Sequence, residues 1–163
     1  MKFYIKQKVF TLKDQFSIMD ESGNPIYNVQ GKMFSFSNKL QLQNPNGSVV
    51  LHAKKQVFRF LPKYFLYDPH DEEVATIERK FGLRPKFEIQ AGVDNLRVEG
   101  SFFAHSFQIY KDDLIVASIQ KKLISWGDSY EIDINDINNT ELYLFIVIVL
   151  DQIIHEQQRR RHN

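Results

Sequence analysis

The 163-residue chain contains no cysteine. That absence excludes a disulfide framework, a CxxC redox centre, a cysteine-based zinc site and a cysteine nucleophile, and it fits a reducing, cytoplasmic setting. Net charge is nearly absent as well: 21 Lys and Arg face 20 Asp and Glu, a formal +1. A nucleic-acid binder draws its affinity from neutralised phosphates, so nucleic acid is not an expected partner. Without Arg159, Arg160 and Arg161 the balance is 18 against 20, or −2. Gly/Ser/Pro-rich linkers and low-complexity stretches are lacking, so one domain is expected at this length. The opening Met1-Lys-Phe-Tyr-Ile-Lys-Gln-Lys8 has no apolar h-region and no small-residue cleavage site. It reads as a strand rather than as a targeting signal.

Catalytic signatures are missing too. His52, His70, His105, His155 and His162 show neither HxH nor HxxxH spacing, so no metal site is expected. No GxSxG elbow and no GxGxxG or GxxxxGK loop occurs, and no cofactor is implied. His105 and Ser106 are adjacent, and strand neighbours point to opposite faces, so they do not read as a base and its nucleophile.

What is present is a folded domain's composition, 43% hydrophobic and 13% aromatic, arranged as a repeat. Ile5-Lys-Gln-Lys-Val9, Val29-Gln-Gly-Lys-Met33, Ala53-Lys-Lys-Gln-Val57, Ile77-Glu-Arg-Lys-Phe81, Val98-Glu-Gly-Ser-Phe102 and Ile119-Gln-Lys-Lys-Leu123 share one pattern. An apolar residue is followed by three mostly polar ones and a second apolar residue. The first anchors lie 24, 24, 24, 21 and 21 residues apart. Each unit then carries an apolar pair two residues apart: Phe16/Ile18, Leu40/Leu42, Tyr64/Leu66, Phe87/Ile89, Phe107/Ile109 and Tyr130/Ile132. That period places both members on one face of a strand. Turn chemistry separates the runs at 20–25, 44–47, 68–71, 92–95 and 111–113. Six units of two strands predict about twelve antiparallel strands, a sheet large enough to split into a sandwich or close into a barrel. The numerous phenylalanines are expected to line its interior.

Glu141 to Ile154 breaks the pattern, being apolar on every side of a helical wheel, with Asn138, Asn139 or Thr140 available as a cap. The 13 residues from Leu142 to Ile154 span roughly 20 Å as a helix against about 30 Å of hydrocarbon, and Asp151 and Gln152 interrupt them. No transmembrane segment is expected. A helix apolar all round, following twelve strands, belongs inside a closed barrel.

The carrying features are Asn28-Val-Gln-Gly-Lys-Met33, Ala75-Thr-Ile-Glu-Arg-Lys80, Val98-Glu-Gly100, Ala117-Ser-Ile-Gln-Lys-Lys-Leu123, Tyr130-Glu-Ile132 and the closing helix with Asp151. Over about residues 3 to 155 this arrangement resembles the tubby-like C-terminal superfamily and, within it, the LURP-one-related group. The resemblance implies a mainly β fold: a closed barrel of about twelve antiparallel strands around a central hydrophobic C-terminal helix. The expected division is a barrel domain over 1–156 and a basic tail over 157–163. Relatives of this superfamily include phosphoinositide-binding membrane tethers and phospholipid scramblases. Fold alone does not carry function.

Lys54, Lys55, Arg79, Lys80, Lys121 and Lys122 occupy equivalent places in three units, joined by Lys6, Lys8 and Lys32 in two others. A band of such cations at one barrel end suits an anionic lipid headgroup; the plainer alternative is a solvated rim that blunts strand ends. Face arithmetic puts Lys55, Arg79 and Lys121 with the apolar anchors, so each motif contains a bulge or these side chains lean inward. The equivalent residues elsewhere are Gln7, Gly31 and Gly100, where glycine suits a bulge or close helix approach. Asp151 is costly to bury unpaired and is expected as a counter-ion of Lys55, Arg79 or Lys121, or of backbone donors at the barrel mouth. Asp133-Ile-Asn-Asp-Ile-Asn138 offers oxygen ligands for calcium but lacks the loop glycine and closing Glu of an EF-hand, and helix capping explains it more simply. Asp68 to Glu73 reads as an exposed hairpin loop, Trp126 as a residue beside a turn, and Arg159–Arg161 as a frayed helix end. The expected function is a non-enzymatic ligand-binding or membrane-surface adaptor, cytoplasmic or peripheral at the inner membrane face, with an anionic phospholipid headgroup as leading ligand. A protein-interaction module and, less favoured, an enzyme with its site at the barrel mouth are the alternatives.

Overall fold

The computed structural model describes residues 1–6, 15–31, 39–124 and 127–162. Gln7, Lys8, Val9, Lys32, Met33 and Trp126 lie outside the described residues, as do the side chains of Leu123 and Arg159–Arg161. The strands are β1 (Lys2–Lys6), β2 (Gln15–Met19), β3 (Pro25–Gly31), β4 (Lys39–Gln43), β5 (Val49–Lys55), β6 (Lys63–Tyr67), β7 (Glu73–Lys80), β8 (Lys86–Ala91), β9 (Asp94–Ser101), β10 (Ser106–Lys111), β11 (Leu114–Ile124) and β12 (Gly127–Ile134). They pair antiparallel in chain order, and β1 closes on β12 through Phe3 opposite Ile132 and Ile5 opposite Tyr130. The result is a closed twelve-stranded barrel.

Period-two alternation builds its wall. In β4, Leu40 and Leu42 are buried while Lys39 is exposed; in β7, Ala75, Ile77 and Arg79 face inward. Two repeat anchors depart from this scheme. Val57 and Phe81 fall beyond the ends of β5 and β7 and are exposed. Phenylalanine is therefore not uniformly barrel lining: Phe3, Phe16, Phe102, Phe107 and Phe145 are buried, but Phe58, Phe60 and Phe81 face solvent.

Register shifts occur at Ile18/Met19, Leu42/Gln43, Leu66/Tyr67 and Ile109/Tyr110, away from the basic motifs. Pairing from Ile77 opposite Ile89 to Lys80 opposite Lys86 is regular, and Lys55 and Lys121 pair with the buried Tyr64 and Tyr130. Lys55, Arg79 and Lys121 thus keep the inward register. The glycines at the equivalent position admit a neighbouring strand rather than the helix. A Cβ on Gly31 would lie 2.6 Å from the Leu40 side chain, and one on Gly100 would lie 2.4 Å from the Ser106 carbonyl.

One α-helix among the described residues, α1 (Thr140–His162), fills the barrel and extends beyond the expected Glu141–Ile154 and past residue 156. A short 3-10 turn over Ile137–Asn139 leads into it, and Asp136 caps that turn by accepting the Asn138 backbone N–H at 3.1 Å. Tyr143 to Leu150 are all buried, followed by Ile153 and Ile154. The segment Ile137–Ile154 is long and apolar enough to cross a membrane, but 67% of it is buried inside the protein. Its apolar circumference faces the strands on all sides, which is why no polar stripe is needed.

Antiparallel succession places alternate connections at opposite ends of the barrel. The entry rim, where α1 begins, is made by connections 20–24, 44–48, 68–72, 92–93, 112–113 and 135–139. Among the described residues, the exit rim, toward which α1 runs, carries connections 56–62, 81–85 and 102–105.

Candidate functional site

The six basic residues singled out by the repeat do not form one continuous band. Three point inward around the last turns of α1 and three point outward. Lys55 Nζ donates to Glu156 at 2.7 Å, and the Tyr64 hydroxyl donates to the same carboxylate at 3.4 Å. Arg79, 5% exposed, donates to the Lys80 carbonyl and lies 6.0 Å from the Phe87 ring centroid. Lys121 is exposed at the mouth. On the outer wall, Lys54 lies 3.5 Å from Asp71 and over the Tyr67 ring at 4.8 Å. Lys80 joins Glu88 at 2.9 Å and Glu78 at 3.3 Å. Lys122 lies 3.8 Å from Glu131, which also accepts from Gln120 at 3.0 Å and Tyr4 at 3.1 Å. Burial would raise the Glu131 pKa, but those hydrogen bonds and the Lys122 and Lys2 charges outweigh it and hold the carboxyl below its ordinary range. Burial and the Glu131 hydrogen bond push the Tyr4 phenol up to about 12.

Asp151 is 1% exposed, and its side-chain partner is His105, not one of the three expected basic residues. His105 is no strand residue. It follows the 3-10 turn Phe102–Ala104 in a left-handed conformation, φ 49° and ψ 45°, with its N–H on the Phe102 carbonyl. That turn places the imidazole over α1, 5.0 Å from the Tyr130 ring centroid. The hydrogen bond that Asp151 accepts raises the His105 pKa; burial and the Lys121 charge oppose it without cancelling it. Asp151 Oδ2 has no hydrogen-bond partner among the described residues.

The remaining candidates are structural in their contacts. Asp136 caps the turn into α1, and Asn135 donates to the Ile115 carbonyl at 3.0 Å. Asp133 lies 3.5 Å from the terminal amine of Met1. Among the described residues, no group of three or more His, Cys, Asp or Glu gathers to hold a metal. Depressions of about 390 Å³ beside β9–β11 and about 330 Å³ beside β4–β5 lie on the outer wall, and neither is lined by His105 or Asp151.

The feature that reasoning from repeats missed lies on the exit rim. Residues 55–63, Lys-Gln-Val-Phe-Arg-Phe-Leu-Pro-Lys, and 80–86, Lys-Phe-Gly-Leu-Arg-Pro-Lys, carry six cations and no carboxylate. Consecutive strands β5 to β8 place these connections side by side. Gln56 N–H closes the first onto the Lys63 carbonyl at 2.8 Å, and Arg79 N–H ties it to β7 through the Pro62 carbonyl at 2.9 Å. Arg59 reaches Glu78 at 2.7 Å. Burial would raise the Glu78 pKa, but hydrogen bonds from Arg59 and Lys80 hold it low. Phe58, Phe60, Phe81 and Leu83 project from this basic frame at 83% exposure or more. The signal was available in the two copies of apolar residues flanking an arginine and ending in Pro-Lys. The six connections of the entry rim, counted with the same flanking strand residues, by contrast hold ten Asp or Glu and one cation, Lys111.

The LURP-one-related family description matches residues 1–151. The chain is 28% identical over 158 residues to the uncharacterized protein YxjI of Bacillus subtilis (strain 168), covering 97% of this chain and 96% of that one. An X-ray structure of a protein from Arabidopsis thaliana matches with a TM-score of 0.63 at 22% identity, covering 93% of this chain and 90% of its own. That last likeness is one of fold.

Proposed function

The chain belongs to the LURP-one-related family, and from that premise we propose a non-catalytic adaptor whose exit rim binds anionic phospholipid headgroups at a membrane surface. Family and barrel are consistent with a ligand-binding domain; the choice of ligand rests on charge. The carrying observation is the segregation of charge between the rims: six cations without a carboxylate in two neighbouring exit-rim segments, ten carboxylates with one lysine, Lys111, in the entry-rim connections counted with the same flanking strand residues. Each cation near an anionic leaflet contributes about 1 kcal/mol, and the attraction decays within a Debye length. A near-neutral chain divided this way is oriented by such a surface even though its total charge is small.

A non-catalytic reading is supported by the interior, where α1 occupies the space a substrate would need. The His105–Asp151 pair serves burial of Asp151, and the outer-wall depressions do not reach it. The test is co-sedimentation of the full chain with phosphatidylcholine vesicles, with and without phosphatidylglycerol, at low and moderate salt. Capture by the anionic vesicles alone, released as salt rises, is the expected result. No capture at low salt overturns the lipid reading.

A further inference from the structure

The exposed apolar residues of the exit rim carry a consequence that charge alone does not. Phe58 stands at φ 60° with its side chain fully in solvent, a conformation that bulky L-residues avoid. Phe60, Phe81 and Leu83 stand beside it on the adjoining connection pair. Backbone hydrogen bonds and the Arg59–Glu78 ion pair hold the first connection in shape, so these groups are displayed by the fold. Arg84 and Lys86, which follow Leu83, form no ion pair among the described residues. A patch of large apolar side chains framed by cations matches the boundary of an anionic bilayer, where phosphates lie beside hydrocarbon.

The entry rim supplies the internal comparison. Val93, Leu114 and Ile137 are exposed there, but each adjoins an aspartate: Asp94, Asp113 and Asp136. An anionic surface repels that end and attracts the other. We infer that connections 56–62 and 81–85 form a paired wedge, inserting Phe58, Phe60, Phe81 and Leu83 into the headgroup–acyl boundary of an anionic membrane. The barrel then stands on its exit rim, with the acidic entry rim turned to the aqueous side. This rests on the anionic-lipid reading and adds an orientation and an apolar anchor to it.

The cysteine-free chain allows single-site labelling. Phe58→Cys, Leu83→Cys and, on the entry rim, Val93→Cys would each carry an environment-sensitive fluorophore, with the fold checked by circular dichroism. With phosphatidylcholine–phosphatidylglycerol vesicles, labels at 58 and 83 are expected to shift to the blue and be quenched by spin-labelled acyl chains, while the label at 93 is unchanged. Phe58→Ala/Phe60→Ala, still folded, is expected to weaken vesicle affinity at least tenfold. Vesicle-bound protein with labels at 58 and 83 still in water overturns the wedge but not the lipid reading. Absence of vesicle binding overturns both. Blue-shifted labels at 58 and 83 without vesicles, together with a dimeric elution volume, overturn the wedge by showing a second copy on the patch.

Discussion

Asp151 is 1% exposed in an otherwise apolar stretch of helix, where an uncompensated carboxylate costs several kcal/mol. The partner comes from a turn rather than from the repeated basic positions, because Phe102 anchors that turn on the core. Its ring lies 5.3 Å from Phe87 and 5.4 Å from Phe107, which fixes where His105 stands. The hydrogen bond raises the His105 pKa above its ordinary 6.5. A raised histidine stabilises the fold fully below the unfolded pKa and loses that contribution as pH rises through the folded one. Urea denaturation should therefore show wild-type stability declining from pH 6 toward pH 9, with the decline reduced in Asp151→Asn. An unchanged pH profile in that variant would deny the linkage. His105→Ala, which leaves the carboxylate without this partner, is expected to cost about 3–5 kcal/mol. A cost below about 1 kcal/mol would mean Asp151 is compensated elsewhere.

At the level of elements, the strands were legible because their burial alternates with period two, as at Leu40/Leu42 and Tyr64/Leu66. The helix was legible because nothing from Leu144 to Leu150 is polar, a pattern that suits enclosure by protein. The same period left a bulge or an inward lean open for Lys55, Arg79 and Lys121, and the regular pairing of these strands selects the second. Three things were not legible. The ends of β5 and β7 depend on where ladder pairing stops, so Val57 and Phe81 looked like core anchors although they lie beyond the sheet. The His105–Asp151 contact joins a turn to a helix 46 residues away, a separation no local spacing encodes. The role of Gly100 depends on the register of β9 against β10. Its φ is +134°, and a Cβ there would also lie 2.6 Å from the Phe107 Cα. Gly100→Ala is expected to lower stability by about 2–3 kcal/mol, combining strain and collision. Gly47, at φ +87°, has open space where a Cβ would stand, with nothing within 4 Å. The same change there should cost only about 1 kcal/mol. Equal costs in thermal or urea denaturation would remove the collision argument.

The whole molecule is a barrel whose described connections differ in charge between its two ends. Odd-numbered strands run toward the exit rim, where β5 and β7 end in Lys55 and Lys80, while the turns opposite them are built from Asp, Asn and Gly. Asp and Asn are favoured in those turns because their side chains satisfy the backbone: Asp20 accepts from Ser22 and Asn24 at 2.9 Å, and Asp68 accepts from His70 at 2.8 Å. Turn chemistry thus deposits negative charge at one end, and no such demand governs the longer exit-rim connections. The cations beside them satisfy no turn backbone: Lys55, Arg59, Lys63 and Lys80 pair with Glu156, Glu78 and Glu88, and it is Arg84 and Lys86 on which the proposed membrane contact draws.

A decisive comparison reverses charge at each end separately. Arg84→Glu/Lys86→Glu changes the exit rim by four charges. At about 1 kcal/mol per charge near the bilayer, affinity for phosphatidylglycerol-containing vesicles should fall by roughly two to three orders of magnitude at about 0.1 M salt. Asp112→Lys/Asp113→Lys changes the entry rim by the same amount in the opposite sense, on exposed turn residues. If the barrel stands on its exit rim, that second pair lies well beyond a Debye length of about 10 Å from the membrane and leaves affinity almost unchanged. A net-charge effect without orientation would instead raise affinity in the second variant by as much as it falls in the first. Vesicle titration of the two variants side by side separates these cases, and a symmetrical response would reject a preferred end.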